Sequence, residues 1–333
     1  MERDIIDVHL HFGAPYDSES GCYWSEEFEK GIAFFAMRLI THSLFGKIDI
    51  QRVKKHMLGV IKESKYVGKS VLLALDQVYD ESGHVRRDKT NLHVPNSYLA
   101  RLAKENDRVL FGASVHPYRS DWEDELNFCL ANKAVLCKWL PSAQQINPSN
   151  PKCDRFFQKL AESCLPLLCH TGPEGSIPPF DGASQKLNKP KLLRKALDAG
   201  VAVIAAHCAL PLLPPPLGND SDFQELLALV NEAENRSWKL YADLSAICLG
   251  SRNFYIDKVK EQIPARRLVF GSDYPIPIMD FSEEPHLNPG HWMKHFLKTL
   301  FTKNPLDKNY FLIRNMEFDE AVFYNALHIL KLS

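Results

Sequence analysis

Four histidines and one aspartate stand where short apolar segments end, and these residue types suit a divalent metal ion. His9 and His11 close the first segment, His170 and His207 close two later ones, and Asp273 follows a fourth near the end of the chain. Imidazole nitrogens and carboxylate oxygens are the ligands that zinc takes in catalytic sites, where a water completes the coordination. This set therefore points to an enzyme that uses a metal-activated water.

The histidine pair that opens the chain is a weak signal by itself. Residues i and i+2 of a strand point to the same side, so His9 and His11 are placed to chelate one ion. Separate core histidines with satisfied hydrogen bonds are the alternative, and it must then explain why all five residues share strand-end positions. If the ligands face inward, their neighbours Cys169, Cys208 and Ser272 should face the helical layer or the adjoining loops.

Short apolar runs alternate with helical patterns along the chain, and they define the elements that must position these residues. Apolar runs of this kind are typical of parallel strands buried on both faces. The predicted strands are 5–9, 71–76, 109–115, 134–138, 165–170, 201–207, 240–244 and 268–271. The predicted helices are 51–64, 95–105, 121–132, 154–163, 189–199, 222–235 and 254–262, with two more from His291 and Glu317. The alternation predicts a single (β/α)8 TIM barrel over 1–333. An open doubly wound sheet is the alternative, but the glycine-rich motif typical of that fold does not follow the first predicted strand.

Two long segments follow predicted strand ends, where barrel enzymes build their active sites. Residues 14–50 are rich in aromatic side chains, and residues 274–290 are rich in proline. We expect both to be insertions over the mouth of the barrel that form a lid or a wall of the substrate pocket.

Composition excludes several classes of function. The chain has 333 residues with 45% hydrophobic and 24% charged residues, and its net charge of -1 predicts no attraction to nucleic acid or to anionic membrane. The eight cysteines include no CxxC pair, and the chain enters a strand directly after Met-Glu-Arg-Asp rather than opening with a signal peptide. Since no apolar run reaches the length of a membrane span, we expect a reduced, cytoplasmic protein.

Five motifs follow one another along the chain: Asp7-Val8-His9-Leu10-His11, Lys138-Trp139-Leu140-Pro141-Ser142, Leu168-Cys169-His170-Thr171-Gly172, Ala206-His207-Cys208 and Gly271-Ser272-Asp273-Tyr274-Pro275. As an ordered set they resemble the amidohydrolase superfamily, in its amidohydrolase 2 branch of TIM-barrel metal-dependent hydrolases and decarboxylases. The resemblance extends from residue 4 to about residue 275, and residues 321–330 resemble the closing helix of the family.

The resemblance implies a role for each residue of the set. His9, His11 and His170 would bind one or two divalent ions, zinc above all. Asp273 would be a weaker ligand that also accepts a proton from the attacking water. His207 would either bind a second ion or polarise the substrate and orient the water.

Lys138 ends a predicted apolar strand at the mouth of the barrel. This position would bury its ammonium group, which is unusual for a lysine. The resemblance leaves two roles open for Lys138. In binuclear members of the superfamily a lysine at this strand end is carbamylated and bridges two ions, whereas many members of this branch keep one ion, and a charged Lys138 would then bind a substrate carboxylate or pair with an acid. His116 and Trp139 are further candidates for substrate binding. Asp243 is expected either to orient a histidine ligand or to cap a turn.

Three functions remain open at this point. The first is hydrolysis of a lactone, ester or amide of a small organic acid, and the second is non-oxidative decarboxylation on the same scaffold. The third, a non-catalytic binding protein, conflicts with the complete set of candidate ligands. The expected partner is a small-molecule substrate, and a homodimer is expected from the fold by analogy alone.

Overall fold

Eight parallel strands form one sheet, in which each strand pairs with the next one along the chain. The structure, a computed structural model, describes residues 5–41, 43, 47–178, 181–276 and 302–332. The strands, here β1 to β8, are Ile6–His11, Lys69–Leu73, Val109–Ala113, Leu136–Trp139, Leu167–Cys169, Val203–Ala205, Leu240–Asp243 and Leu268–Val269. The predicted number and order of strands are confirmed, although most of them end slightly earlier than the sequence predicts.

Helices occupy the connections between these strands, as a parallel sheet requires. The α-helices are Ile32–Ile40, Ile50–Glu63, Asn96–Glu105, Trp122–Ala131, Pro141–Gln144, Asp154–Glu162, Arg194–Asp198, Ser221–Arg236, Ile256–Gln262, Pro305–Asn315 and Asn325–Ile329. The predicted helix 189–199 is divided into a 3-10 turn, Pro190–Leu193, and a short α-helix. The helix predicted from His291 begins outside the described residues.

The sheet closes on itself between β1 and the segment that follows β8. The backbone amide of His11 donates to the carbonyl of Tyr274 at 2.8 Å, and the amide of Asp273 donates to the carbonyl of His9 at 2.8 Å. These bonds complete a (β/α)8 TIM barrel, and they run through three of the candidate ligands.

Two apolar clusters stabilise the barrel. The larger one fills the space between strands and helices, and the smaller one fills the bore with side chains such as Val71, Leu136 and Ile204. Cys169 and Cys208 belong to the larger, outer cluster, as predicted. The terminal helix Asn325–Ile329 packs against the bore cluster through Ala326, Leu327 and Ile329, which leaves the opposite, carboxyl end of the barrel for polar chemistry.

All eight cysteines lie in the described ranges and are free thiols. Within those ranges, we find no helix that combines the length and the apolar character needed to cross a membrane.

Candidate metal centre

The carboxyl ends of six strands bring the candidate residues to one end of the barrel. His9 and His11 lie in β1, Lys138 lies in β4, and Asp243 ends β7. His170 follows β5 directly, His207 lies two residues beyond β6, and Asp273 lies four residues beyond β8.

Three side chains form the tightest group of potential metal ligands. Nε2 of His9 lies 3.0 Å from Nε2 of His11, and Oδ1 of Asp273 lies 3.4 Å and 3.3 Å from these two nitrogens. Ligands about 2.0 to 2.1 Å from a tetrahedral zinc ion are about 3.3 Å apart from one another. The observed separations therefore match three corners of such a site.

The hydrogen bonds of His9 fix which of its nitrogens is free for a metal. Nδ1 lies 2.8 Å from Oδ2 of Asp243 and 3.0 Å from Oγ of Ser245. Because a carboxylate can only accept, we assign the proton of His9 to Nδ1, which leaves the lone pair on Nε2. Asp243 thus orients a histidine, and it also caps the following turn by accepting from the amide of Ser245 at 3.1 Å.

His207 is held in a left-handed turn over the ring of His9. Its φ is 60°, a conformation that disfavours residues with a side chain. Oδ1 of Asp243 accepts from the His207 amide at 2.8 Å, and Oγ of Ser245 lies 2.7 Å from its Nδ1. The ring lies 5.0 Å from that of His9, and His9, His207 and Asp273 offer donor atoms within 4.8 Å of one another. His207 can therefore serve either of its two expected roles.

His170 presents an unpartnered nitrogen beside this group. Its Nδ1 lies 3.3 Å from Oε2 of Glu174, whose other oxygen accepts from the amides of Ser176 and Ile177. We assign the proton of His170 to Nδ1 because a carboxylate faces it. Nε2 is buried and has no hydrogen-bond partner among the residues that the structure describes, and the ring lies 4.9 Å from that of His207. A buried nitrogen left in this state has the character expected of a metal ligand.

Burial keeps the three innermost histidines in the neutral form that binds metals. Desolvation is the largest effect on His9, His170 and His207, and it lowers the pKa of each well below the usual value. Neutral imidazole is the form that binds metal ions.

Lys138 is fully buried at the centre of the site. Its Nζ lies 2.8 Å from Nε2 of His9, and this is its hydrogen bond within the described part of the chain. Desolvation lowers the pKa of Lys138, against the opposing effect of Asp243 and Asp273, and so favours the neutral amine. A cation on His9 Nε2 would replace this hydrogen bond, so Lys138 would have to turn aside or be modified. Both expected roles of Lys138 stay predictions.

Two residues expected to contact the substrate, His116 and Trp139, are not among the described residues that line the cavity, and their side chains are engaged elsewhere. His116 donates from Nε2 to the carbonyl of Gln144 at 2.9 Å and accepts from the amide of Tyr118 at 3.1 Å. Trp139 donates to the carbonyl of Val115 at 2.9 Å, and its ring lies in the outer core. Side chains alternate along a strand, so an inward Lys138 requires an outward Trp139.

A cavity opens directly onto the candidate metal ligands. His11, His170, His207 and Asp273 contribute to its lining, and Phe28, Ala33 and Met37 of the 14–50 segment form an apolar wall. Of the 274–290 segment, Pro275 and Ile276 line the cavity, while residues 277–290 lie outside the described ranges.

Four polar residues of the site were not predicted from the sequence: Asp7, Glu174, Ser245 and Arg252. Asp7 connects β1 to the Asp273 segment, since its Oδ1 accepts from the amides of His9 at 3.0 Å and Ser272 at 2.9 Å. Burial raises the pKa of Asp7 to about 7. Its position two residues before His9 in an apolar strand was a usable signal, whereas the other three residues lie in loops.

Solved structures with the same fold include both hydrolases and decarboxylases. A probable 2-pyrone-4,6-dicarboxylic acid hydrolase from Acinetobacter baumannii, with citric acid bound, has a TM-score of 0.54 at 16% identity and covers 95% of this chain and 100% of its own. A 2,6-dihydroxybenzoate decarboxylase complexed with 2,6-dihydroxybenzoate has a TM-score of 0.54 at 16% identity, over 98% and 99% of the two chains. An uncharacterised TIM-barrel protein from Bordetella bronchiseptica has a TM-score of 0.55 at 14% identity, over 97% and 99%.

No curated protein matches the chain in sequence. The family model described as Amidohydrolase matches residues 65–291, which is more than half of the chain. This match agrees with the barrel and with the histidine and aspartate residues at its carboxyl end, and it supports an enzyme. The chain belongs to the amidohydrolase family.

Proposed function

We propose that this protein is a metal-dependent hydrolase of a small organic molecule that carries a lactone, ester or amide carbonyl. The observation that carries the proposal is the group of His9, His11 and Asp273, whose donor atoms lie 3.0 to 3.4 Å apart at the floor of an open cavity. Spacing of this kind suits a divalent ion, and the nitrogen-rich donor set favours zinc.

His9, His11, His170 and Asp273 would hold the ion, which would supply a water of lowered pKa as nucleophile at neutral pH. Asp273 faces the cavity and is placed to accept the proton of that water. His207 also lines the cavity. Since the hydroxyl of Ser245 donates to Asp243, Nδ1 of His207 donates to Ser245, and its Nε2 keeps a lone pair that can accept a hydrogen bond from the attacking water and orient it.

Non-oxidative decarboxylation is the second candidate function. It is supported by the similarity of fold to the 2,6-dihydroxybenzoate decarboxylase, and the same donors suit a carboxylate substrate. In that reaction Asp273 would deliver a proton to carbon instead of accepting one from water.

The test combines metal content with product analysis. Protein purified without chelator and in the presence of bicarbonate is analysed for zinc per chain, and it is then assayed with lactones, esters, amides and aromatic acids. Acid release from the carbonyl substrates supports hydrolysis, and release of CO2 from the acids supports decarboxylation. Two ions per chain would support a carbamylated Lys138, and one ion would leave Lys138 as a substrate contact. A chain that binds no zinc would contradict the ligand assignment.

A further inference from the structure

A buried arginine lines the cavity, and no acidic side chain of the described residues is hydrogen-bonded to it. Arg252 lies in the 3-10 turn Gly250–Tyr255 after β7, and it is 2% exposed. Its hydrogen bonds in the described part of the chain go to the carbonyls of Pro211 and Leu210, both at a long 3.4 Å. Nη1 is buried, and no residue in the described ranges is hydrogen-bonded to it. Burying a cation is costly unless a partner compensates it, so this group calls for an explanation.

The acidic residues of the cavity are already engaged elsewhere. Glu174 accepts from the amides of Ser176 and Ile177 and faces His170. Asp273 lies against the candidate metal ligands, 3.3 Å from His11. The charges of Asp273 and Glu174 favour the charged guanidinium, but neither carboxylate is hydrogen-bonded to it within the described residues, so its Nη1 is left to bind a ligand.

The remainder of the lining limits the kind of ligand that fits. Apolar side chains such as Phe28, Leu140, Leu212 and Leu249 line the cavity. Its polar lining residues are the candidate metal ligands, Glu174, Ser176 and Arg252. A ligand for this space has an apolar body and an anionic group. The planar guanidinium favours an anion with two oxygens, because it binds such a group through two parallel hydrogen bonds.

We propose that Arg252 binds a carboxylate of the substrate, so that the enzyme acts on small carboxylic acids that carry a separate ester, lactone or amide carbonyl. The inference rests on the proposed function and adds the substrate class to it. Arg252 then sets specificity by holding the acid at one end of the cavity while the reacting carbonyl lies at His11 and Asp273.

Binding of benzoate and of its neutral counterpart benzamide to zinc-loaded protein tests the inference by calorimetry. Wild-type protein should prefer benzoate, and Arg252→Met should bind it about tenfold to a hundredfold more weakly while binding benzamide as before. Arg252→Lys should be intermediate, because it keeps the charge and loses the two-point geometry. Arg267→Met is the matched control, since Arg267 is also buried but bonds to Glu234 and to strand carbonyls away from the cavity.

Thermal unfolding gives a second readout. Removal of an unpaired buried cation should raise the melting temperature of Arg252→Met, whereas removal of a structural arginine would lower it. Undiminished benzoate binding by Arg252→Met, or a wild type that does not bind benzoate, would overturn the inference. Zinc content and hydrolysis of esters that carry a separate carboxylate are measured on the same wild-type protein. Absence of both zinc and hydrolysis would refute the proposed function itself, whereas their presence together with undiminished benzoate binding by Arg252→Met would confine the failure to Arg252.

Discussion

Replacement of Asp243 by asparagine should weaken metal binding without touching a metal ligand. In the wild type, Oδ1 accepts from the amide of His207 while Oδ2 faces Nδ1 of His9 at 2.8 Å. Asparagine has only one side-chain oxygen, so it can accept only one of these two hydrogen bonds. If its oxygen stays with His207, its NH2 group faces His9 and drives the imidazole proton onto Nε2, the nitrogen assigned to the metal.

The expected loss of zinc affinity follows from the loss of this one hydrogen bond, which orients His9. Partners that hold a ligating histidine contribute about tenfold to a hundredfold to metal affinity, or about 1.4 to 2.7 kcal/mol. We expect the zinc dissociation constant of Asp243→Asn to rise by that factor, as measured by competition with a chromophoric chelator. The opposite orientation of the asparagine would instead direct its NH2 group at the amide of His207, so either choice leaves a conflict.

Asp307→Asn provides the control for general loss of stability. Asp307 is also buried, and its carboxylate accepts from the amides of Lys65 and Tyr66, far along the chain from the site. Both variants should melt at lower temperature, but only Asp243→Asn should lose zinc affinity. Wild-type zinc affinity in Asp243→Asn would refute the assignment of Nε2 of His9 as a ligand.

Three further predictions concern the metal, the base and a buried histidine. Chelation should remove activity and added zinc or manganese should restore it, and full activity of metal-free protein would contradict both enzymatic schemes. Asp273→Asn should lower turnover by at least about a hundredfold while most zinc stays bound, and wild-type turnover would remove Asp273 from the mechanism. Burial lowers the pKa of His116 to about 4, so between about pH 6.5 and pH 4 the unfolded chain binds a proton that the folded chain does not. Folding stability should therefore fall by about 3 kcal/mol as pH falls through that window. His116→Gln should flatten this dependence in urea unfolding, and an unchanged slope would contradict the assignment.

The barrel was predictable because each strand carries its own signal. The apolar runs that end in His170 and His207 mark both a buried strand and the residue that reaches the mouth. The conformation of His207 was not predictable, because its left-handed φ depends on a hydrogen bond from its amide to Asp243 in the next strand. Local sequence preference carries no information on a contact of that kind.

A strand-end position proved to be neither sufficient nor necessary for a residue to belong to the site. His116 ends a predicted strand as the ligands do, but its side chain turns to Gln144 and stabilises a loop. Arg252 has no strand-end position and lies in a turn, yet folding brings it into the cavity. Its candidate role in binding depends on which groups lie near the guanidinium, and these neighbours are known only from the folded structure.

The closure of the barrel ties the formation of the centre to the last step of chain assembly. Asp7 reaches Ser272 across 265 positions of sequence, and the amide of Asp273 bonds to His9 at the same seam. Contacts of such long range are entropically costly and tend to form late. A nascent chain that has emerged only through β7 contains the histidines but lacks Asp273. Tight metal binding would therefore require a completed barrel, and incomplete chains would have no catalytic activity.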